Sequence, residues 1–216
     1  MKKRMKFLTV LVLATTILGC KNLPALKSNE LSEVKNFNIN DEFDNNKYKW
    51  YEEKNKEIEV KVANGYYNID HKDEDSSFQI YKKFDFKDDK TYLGETSIRY
   101  EKGNTDEGFG IYFGLSNKRQ AYFEIDNLGE VTIFEDEGDK TSTILDWTKT
   151  EAVNINDWNI FEFIMGKGEI QVYLNNYKIG TINLKLNKTK LTEVGYDVNG
   201  KLKVNIDYMR GKSIKN

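Results

Sequence analysis

The chain has 216 residues, 31% charged and 13% aromatic, with a formal net charge of −2, one cysteine, one histidine and one proline. That length suits one domain plus a short extension, and a domain of about 180 residues can bury roughly 70% of its unfolded surface without a cross-link. One cysteine excludes a disulfide framework, and one histidine argues against both a Ser-His-Asp centre and a histidine-rich zinc site.

In chain order, the first element is a basic start (Lys2, Lys3, Arg4, Lys6) leading into an apolar run from Phe7 to Leu18. That run has 12 residues, too short for the roughly 20 of a membrane-spanning helix, and it reads as a secretory signal. An unpaired cysteine behind such a signal is best explained by acylation. The expected organisation is a signal over 1–19, a polar tether over 20–37 that holds Pro24, and a single domain over 38–216. Without residues 1–19 the chain holds 29 Lys+Arg against 35 Asp+Glu, a net charge of −6. A mildly acidic chain with scattered charges argues against nucleic acid as a partner and against a polybasic membrane patch, so attachment would come from lipid.

Beyond Asn38, β-branched and aromatic stretches recur every 8 to 15 residues between Gly, Asn and Asp. The spacing predicts strands over Ile58–Val62, Tyr66–Asp70, Phe78–Phe86, Thr96–Tyr100, Gly108–Leu115, Gln120–Ile125 and Glu130–Phe134. It continues with Ser142–Asp146, Trp158–Met165, Glu169–Leu174, Tyr177–Ile182, Leu191–Tyr196 and Lys201–Tyr208. No sustained 3.6-residue period is present, so the expectation is all-β. Asn64-Gly65, Asn175-Asn176 and Asn199-Gly200 read as two-residue hairpin turns that need φ > 0. His71, among Asp70, Lys72, Asp73, Glu74 and Asp75, reads as a surface residue.

Alternation divides the strands into faces. Phe109, Ile111, Phe113 and Leu115 point one way, as do Ala121, Phe123 and Ile125, and Phe78, Ile80, Phe84 and Phe86. The other face is polar yet aromatic: Tyr81, Arg99, Tyr112, Gln120, Tyr122 and Glu124. Such a face suits a sugar ligand, since tyrosine offers both a flat apolar ring and a hydroxyl. Gly110 and Gly114 beside Tyr112 would let a ligand approach the backbone. The same tyrosines could equally be cross-strand pairs on a wet sheet surface.

Two resemblances bear on these residues. Ile17-Leu18-Gly19-Cys20 resembles the lipobox of bacterial lipoproteins, which implies cleavage before Cys20, acylation of that cysteine by chains such as palmitate, and a cell-envelope location. Further on come Phe109-Gly110-Ile111-Tyr112-Phe113, Ala121 to Gly129, Ile144-Leu145-Asp146-Trp147, Asn156-Asp157-Trp158-Asn159, Ile170 to Asn176 and Val204 to Tyr208. Their order is similar to the concanavalin A-like, laminin-G-like jelly rolls of exported bacterial proteins, including the group related to keto-disaccharide hydrolases. That resemblance implies a two-sheet antiparallel jelly-roll sandwich whose curved inner sheet offers a groove for glycan.

Laminarinase-type enzymes of this fold carry Glu-x-Asp-x-x-Glu; here Glu124 and Asp126 supply the first two acids and Gly129 stands in the third position. The candidate catalytic groups of a sugar hydrolase or lyase are therefore Glu124 and Asp126. Jelly rolls of this kind also hold structural Ca²⁺, for which Asp41, Asp44 and Asp207 are the candidate ligands. The expected role is a glycan-binding module on an envelope lipoprotein, with an enzyme, or a protein-binding immunity or adhesion factor, as the alternatives.

Overall fold

Period-two patterning folds into fifteen strands among the residues that the structure describes, 37–185 and 188–215 of a computed structural model. They are β1 Ile39–Asp41, β2 Glu53–Lys54, β3 Ile58–Ala63, β4 Tyr66–His71, β5 Ser77–Lys83, β6 Lys90–Gly103, β7 Phe109–Leu115 and β8 Arg119–Ile125. The rest are β9 Glu130–Glu137, β10 Lys140–Lys149, β11 Asn159–Gly166, β12 Glu169–Leu174, β13 Tyr177–Asn183, β14 Leu191–Asn199 and β15 Leu202–Lys215. The signal, most of the tether and Cys20 lie outside the described residues.

All pairings are antiparallel and make a two-sheet jelly-roll sandwich. One sheet runs β13-β12-β11-β6-β15-β4-β3-β2, with β1 also on β15; the other runs β10-β9-β8-β7-β14-β5. Each of the thirteen strands expected from the sequence is present, several of them longer, while β1 and β2 are too short to show a period. Asn64-Gly65 (φ 58° and 76°) and Asn175-Asn176 (φ 48° and 70°) make the hairpin turns expected of them. Asn199-Gly200 does not. β14 and β15 belong to different sheets, so this pair is a corner between layers, and only Gly200 has a positive φ, 54°.

The core lies between the sheets and follows the alternation. Phe109, Ile111, Phe113, Phe123, Ile125, Val194 and Val198 from one sheet face Ile98, Phe161, Phe163, Ile170, Val172, Val204 and Ile206 from the other, all buried. Phe37, assigned by sequence to the tether, is a core residue, packing on Phe84, Phe86, Tyr92 and Phe163 at ring separations of 4.9 to 6.2 Å. His71 is also corrected, because it is buried at the end of β4. Its Nδ1 lies 2.7 Å from the Gly200 carbonyl and its Nε2 3.3 Å from Ser76 Oγ. Burial holds its pKa below the usual imidazole value.

Candidate functional site

The outer face of the six-stranded sheet is a grid whose rungs follow from the register. One rung reads Lys83, Glu193, Gly114, Gln120, Asp136 and Thr141 across β5, β14, β7, β8, β9 and β10. The next reads Tyr81, Gly195, Tyr112, Tyr122, Phe134 and Thr143; the third reads Gln79, Asp197, Gly110, Glu124 and Thr132. Each rung contains one glycine, and each glycine decides what its neighbours do.

In the middle rung, Tyr81 and Tyr112 lie on strands separated by β14. Gly195 has no side chain, so the two rings close the gap and stack at 5.1 Å. Tyr122 meets Tyr112 edge-on at 5.8 Å and stacks on Phe134 at 4.5 Å. Hydroxyls find partners on the same face: Tyr122 donates to Gln120 Oε1 (2.5 Å) and accepts from Gln79 Nε2 (3.0 Å), while Tyr112 donates to Glu193 Oε2 (3.2 Å). Burial raises both phenol pKa values well above the ordinary one.

In the third rung two carboxyl residues flank Gly110, and the Glu124 carboxylate lies against Gly108, where a Cβ would come 2.2 Å from Oε2. Glu124 and Asp197 are each 1% exposed, and their carboxyl groups lie close enough for each to shift the pKa of the other. Asn199 Nδ2 donates to Glu124 Oε2 at 3.0 Å. Glu124 Oε1 and Asp197 Oδ1 have no hydrogen-bond partner among the described residues. A proton shared by the two carboxyls would give these oxygens a partner. Burial raises both pKa values, and the negative charge of the partner pushes Glu124 further up.

The sequence-based candidates therefore separate. Tyr81, Tyr112, Gln120, Tyr122 and Glu124 share this face, but Tyr112 and Tyr122 are buried at 2% and 3% exposure rather than lining an open floor. The accessible members are Gln79, Tyr81, Gln120 and Phe134, all half-buried, and the neighbouring edge strand β10 adds Trp147 at 43% exposure. Gly114 gives a ligand no path to the backbone, because a Cβ there would lie 2.3 Å from Glu193 Oε2. Arg99 does not join the group. It sits on β6 of the other sheet, pairs with Glu101 at 2.6 Å and covers the Trp158 ring at 4.6 Å.

Asp126 does not pair with Glu124 as a catalytic acid would. Its Oδ1 accepts the backbone N–H groups of Leu128 (3.0 Å) and Glu130 (2.8 Å), which caps the β8–β9 hairpin. The calcium candidates do not gather either. Asp41 is buried and accepts from Phe43 N (3.1 Å) and Trp50 Nε1 (2.8 Å), Asp44 is exposed, and Asp207 is half-buried on β15. No group of three or more His, Cys, Asp or Glu side chains is placed to hold a metal among the described residues.

Asp197, Asn199, Gln79, Glu193 and Phe134 complete the face and were not among the residues read from sequence as its ligands. The signal for Asp197 was available: Val194, Tyr196 and Val198 point inward, so Asp197 and Asn199 alternate outward on a strand that runs past Tyr196.

No protein-family model and no curated protein matches this chain. Solved structures do share its fold. The GH43 protein BlXynB from Bacillus licheniformis superposes with a TM-score of 0.60 at 17% identity over 90% of this chain and 41% of its own. A xylan beta-1,4-xylosidase from Bacillus halodurans gives 0.55 at 12% over 72% and 34%. A structure reported for endo-acting O-glycanases expressed by members of the human gut microbiota gives 0.57 at 12% over 82% and 98%. The chain thus spans about two-fifths or less of the two Bacillus proteins and nearly all of the third. At these identities the likeness is one of fold.

Proposed function

We propose that the protein is an envelope lipoprotein, acylated at Cys20, whose jelly roll binds glycan on the outer face of its six-stranded sheet without turning it over. The observation that carries this reading is the row of half-buried Tyr81, Gln79, Gln120 and Phe134 on one rigid face. Rings offer flat apolar area to sugar C–H groups and the carboxamides offer directional partners to hydroxyls. Tyr112 and Tyr122 support these residues from behind by stacking and hydrogen bonds. The GH43, xylosidase and O-glycanase structures of like fold favour a carbohydrate ligand.

Binding without catalysis rests on the acids. Retaining and inverting glycosidases hold two carboxyls about 5–5.5 Å and 6.5–9.5 Å apart around the sugar. Glu124 and Asp197 are instead both buried, at 1% exposure, with their carboxyl groups acting on each other. A sugar on the surface does not reach carboxyl groups buried to that degree.

Calorimetric titration against a panel of polysaccharides tests the reading. The expected result is binding to at least one glycan, weakened about tenfold or more by Tyr81→Ala and retained by Glu124→Gln, with no turnover of β-glucans or keto-disaccharides, on the scale of one lost aromatic contact. Absence of binding to every glycan tested removes it. A second reading, an envelope-protein partner, is favoured by β10: it is an edge strand carrying Ile144 and Trp147 at 42% and 43% exposure, and such edges accept a strand from another chain.

A further inference from the structure

Net charge alone argues against a basic membrane surface; the fold separates charges that the sequence intermixes. The connections β5–β6, β11–β12 and β13–β14 meet at one end of the sandwich around an open cavity of about 600 Å³. They bring Lys87, Lys90, Lys167, Lys185, Lys188 and Lys190 to its rim. Asp85, Asp88 and Asp89 are the acids of these connections. Lys87 pairs with Asp85 and Lys190 with Asp88, each at 2.6 Å, whereas Lys90, Lys167, Lys185 and Lys188 make no ion pair among the described residues. The floor is apolar, built from Phe86, Met165, Leu184 and Leu191.

The opposite end is acidic. Its connections, 55–57, 72–76, 104–108, 126–129, 150–158, 175–176 and 200–201, hold nine Asp and Glu against Lys56, Lys72 and Lys201. At the lysine-rich end the connections 116–118 and 138–139 add Lys118 and Asp139, which offset each other, so the domain has a positive and a negative pole.

Where the chain enters the domain selects between them. Phe37, 17 residues after Cys20, packs against Phe86 at 5.2 Å, so the tether joins at the lysine-rich pole. A 17-residue extended segment reaches at most about 60 Å. A lipid on Cys20 would hold the domain within that distance of the bilayer, attached at its lysine-rich pole.

We propose that the lysine-rich pole docks on anionic lipid headgroups and turns the acidic pole away from the membrane. The inference rests on the anchoring part of the function proposed above. Lipid phosphate oxygens meet the unpaired ammonium groups at the rim, and the glycerol and upper acyl carbons meet the apolar floor. Repulsion of the acidic pole from the same surface reinforces the orientation.

The test uses the acylated full chain in vesicles of phosphatidylcholine alone or with phosphatidylglycerol. A dye placed by Lys167→Cys or by Glu74→Cys reports energy transfer to a headgroup-labelled acceptor. With phosphatidylglycerol, strong transfer is expected from position 167 and weak transfer from 74, the difference closing in high salt. Neutralising Lys90, Lys185 and Lys188 together (each →Gln) should lower the docked-to-free ratio about a hundredfold, at about fivefold per lysine. Equal transfer from both positions in both lipids, or an unchanged triple variant, overturns the proposal. So does loss of the phosphatidylglycerol effect in inorganic phosphate where chloride of equal ionic strength leaves it intact, which marks a free-phosphate site. Flotation with phosphatidylcholine alone reads the anchor separately. A chain that floats there but shows no lipid-dependent orientation keeps its anchor and loses the docking, and one that binds only phosphatidylglycerol does the reverse.

Discussion

Glu124 on β8 and Asp197 on β14 flank Gly110 on β7, and their buried carboxyl groups interact beneath the outer surface of the sheet. Side chains on strands two apart ordinarily do not meet, since neighbouring strands are about 4.8 Å apart and the intervening residue fills the gap. A glycine between them removes that residue. The rung above repeats the device with Tyr81, Gly195 and Tyr112.

Because burial raises both carboxyl pKa values, Asp197 to about 6, the folded chain holds a proton that the unfolded chain has released above pH 4. Stability from this pair is therefore greatest below pH 4 and falls as pH rises through the folded values. His71 acts in the opposite sense: its lowered pKa makes stability fall as pH drops below 6.5. The difference between wild type and Glu124→Gln isolates the pair. Thermal denaturation from pH 4 to 8 should show the variant losing less stability with rising pH than wild type; parallel curves would contradict the shared proton.

Gly195→Ala should disrupt the middle rung. A Cβ there would lie 1.9 Å from the Ile80 carbonyl oxygen and 2.4 Å from Tyr81 Cα, both backbone atoms that cannot rotate aside. Chemical denaturation should report a loss of about 1–3 kcal/mol or more, together with a change in tyrosine near-ultraviolet dichroism as Tyr81 and Tyr112 part.

Lys82 sits in phase with Phe78 and Ile80 and is buried, its Nζ donating to the carbonyls of Tyr48 (2.6 Å) and Lys49 (3.4 Å) over the Trp50 ring. Burial lowers its pKa to about 8, with nearby Asp41 opposing. Between about 8 and the ordinary 10.5 the unfolded chain holds a proton that the folded chain lacks, so this residue makes stability rise with pH across that window. Lys82→Met should remove that slope in denaturation curves and leave the two carbonyls without their donor.

Asp126→Ala separates a turn residue from a catalytic one. Loss of the acceptor for Leu128 and Glu130 N–H should cost about 1–2 kcal/mol. Glycan affinity measured below the unfolding transition should stay unchanged.

Strand positions and inward faces were legible because a buried face imposes a period of two on the strands that cover it, whereas the edge strand β10, exposed along nearly its whole length, carries none. Lys82 shows the limit of that rule: it occupies an inward position between Ile80 and Phe84 without matching their chemistry, and only the Tyr48 and Lys49 carbonyls explain it. The site was half legible. Alternation placed Tyr81, Tyr112, Tyr122 and Glu124 together, but strand order is long-range information, and it alone puts β14 between β5 and β7. For the same reason Arg99 alternated correctly yet landed on the opposite sheet, and the partner of Glu124 proved to be Asp197 rather than Asp126. His71 was read from its charged neighbours, whereas the Gly200 corner, distant in sequence, buries it.

The most direct test of the glycan-binding account is backbone-amide chemical-shift mapping of the protein during titration with the polysaccharide panel. The account predicts shifts concentrated at Gln79, Tyr81, Gln120 and Phe134 on the outer face of the six-stranded sheet. Shifts confined to the nine-stranded sheet around Arg99 and Trp158, or none with any glycan, would contradict it.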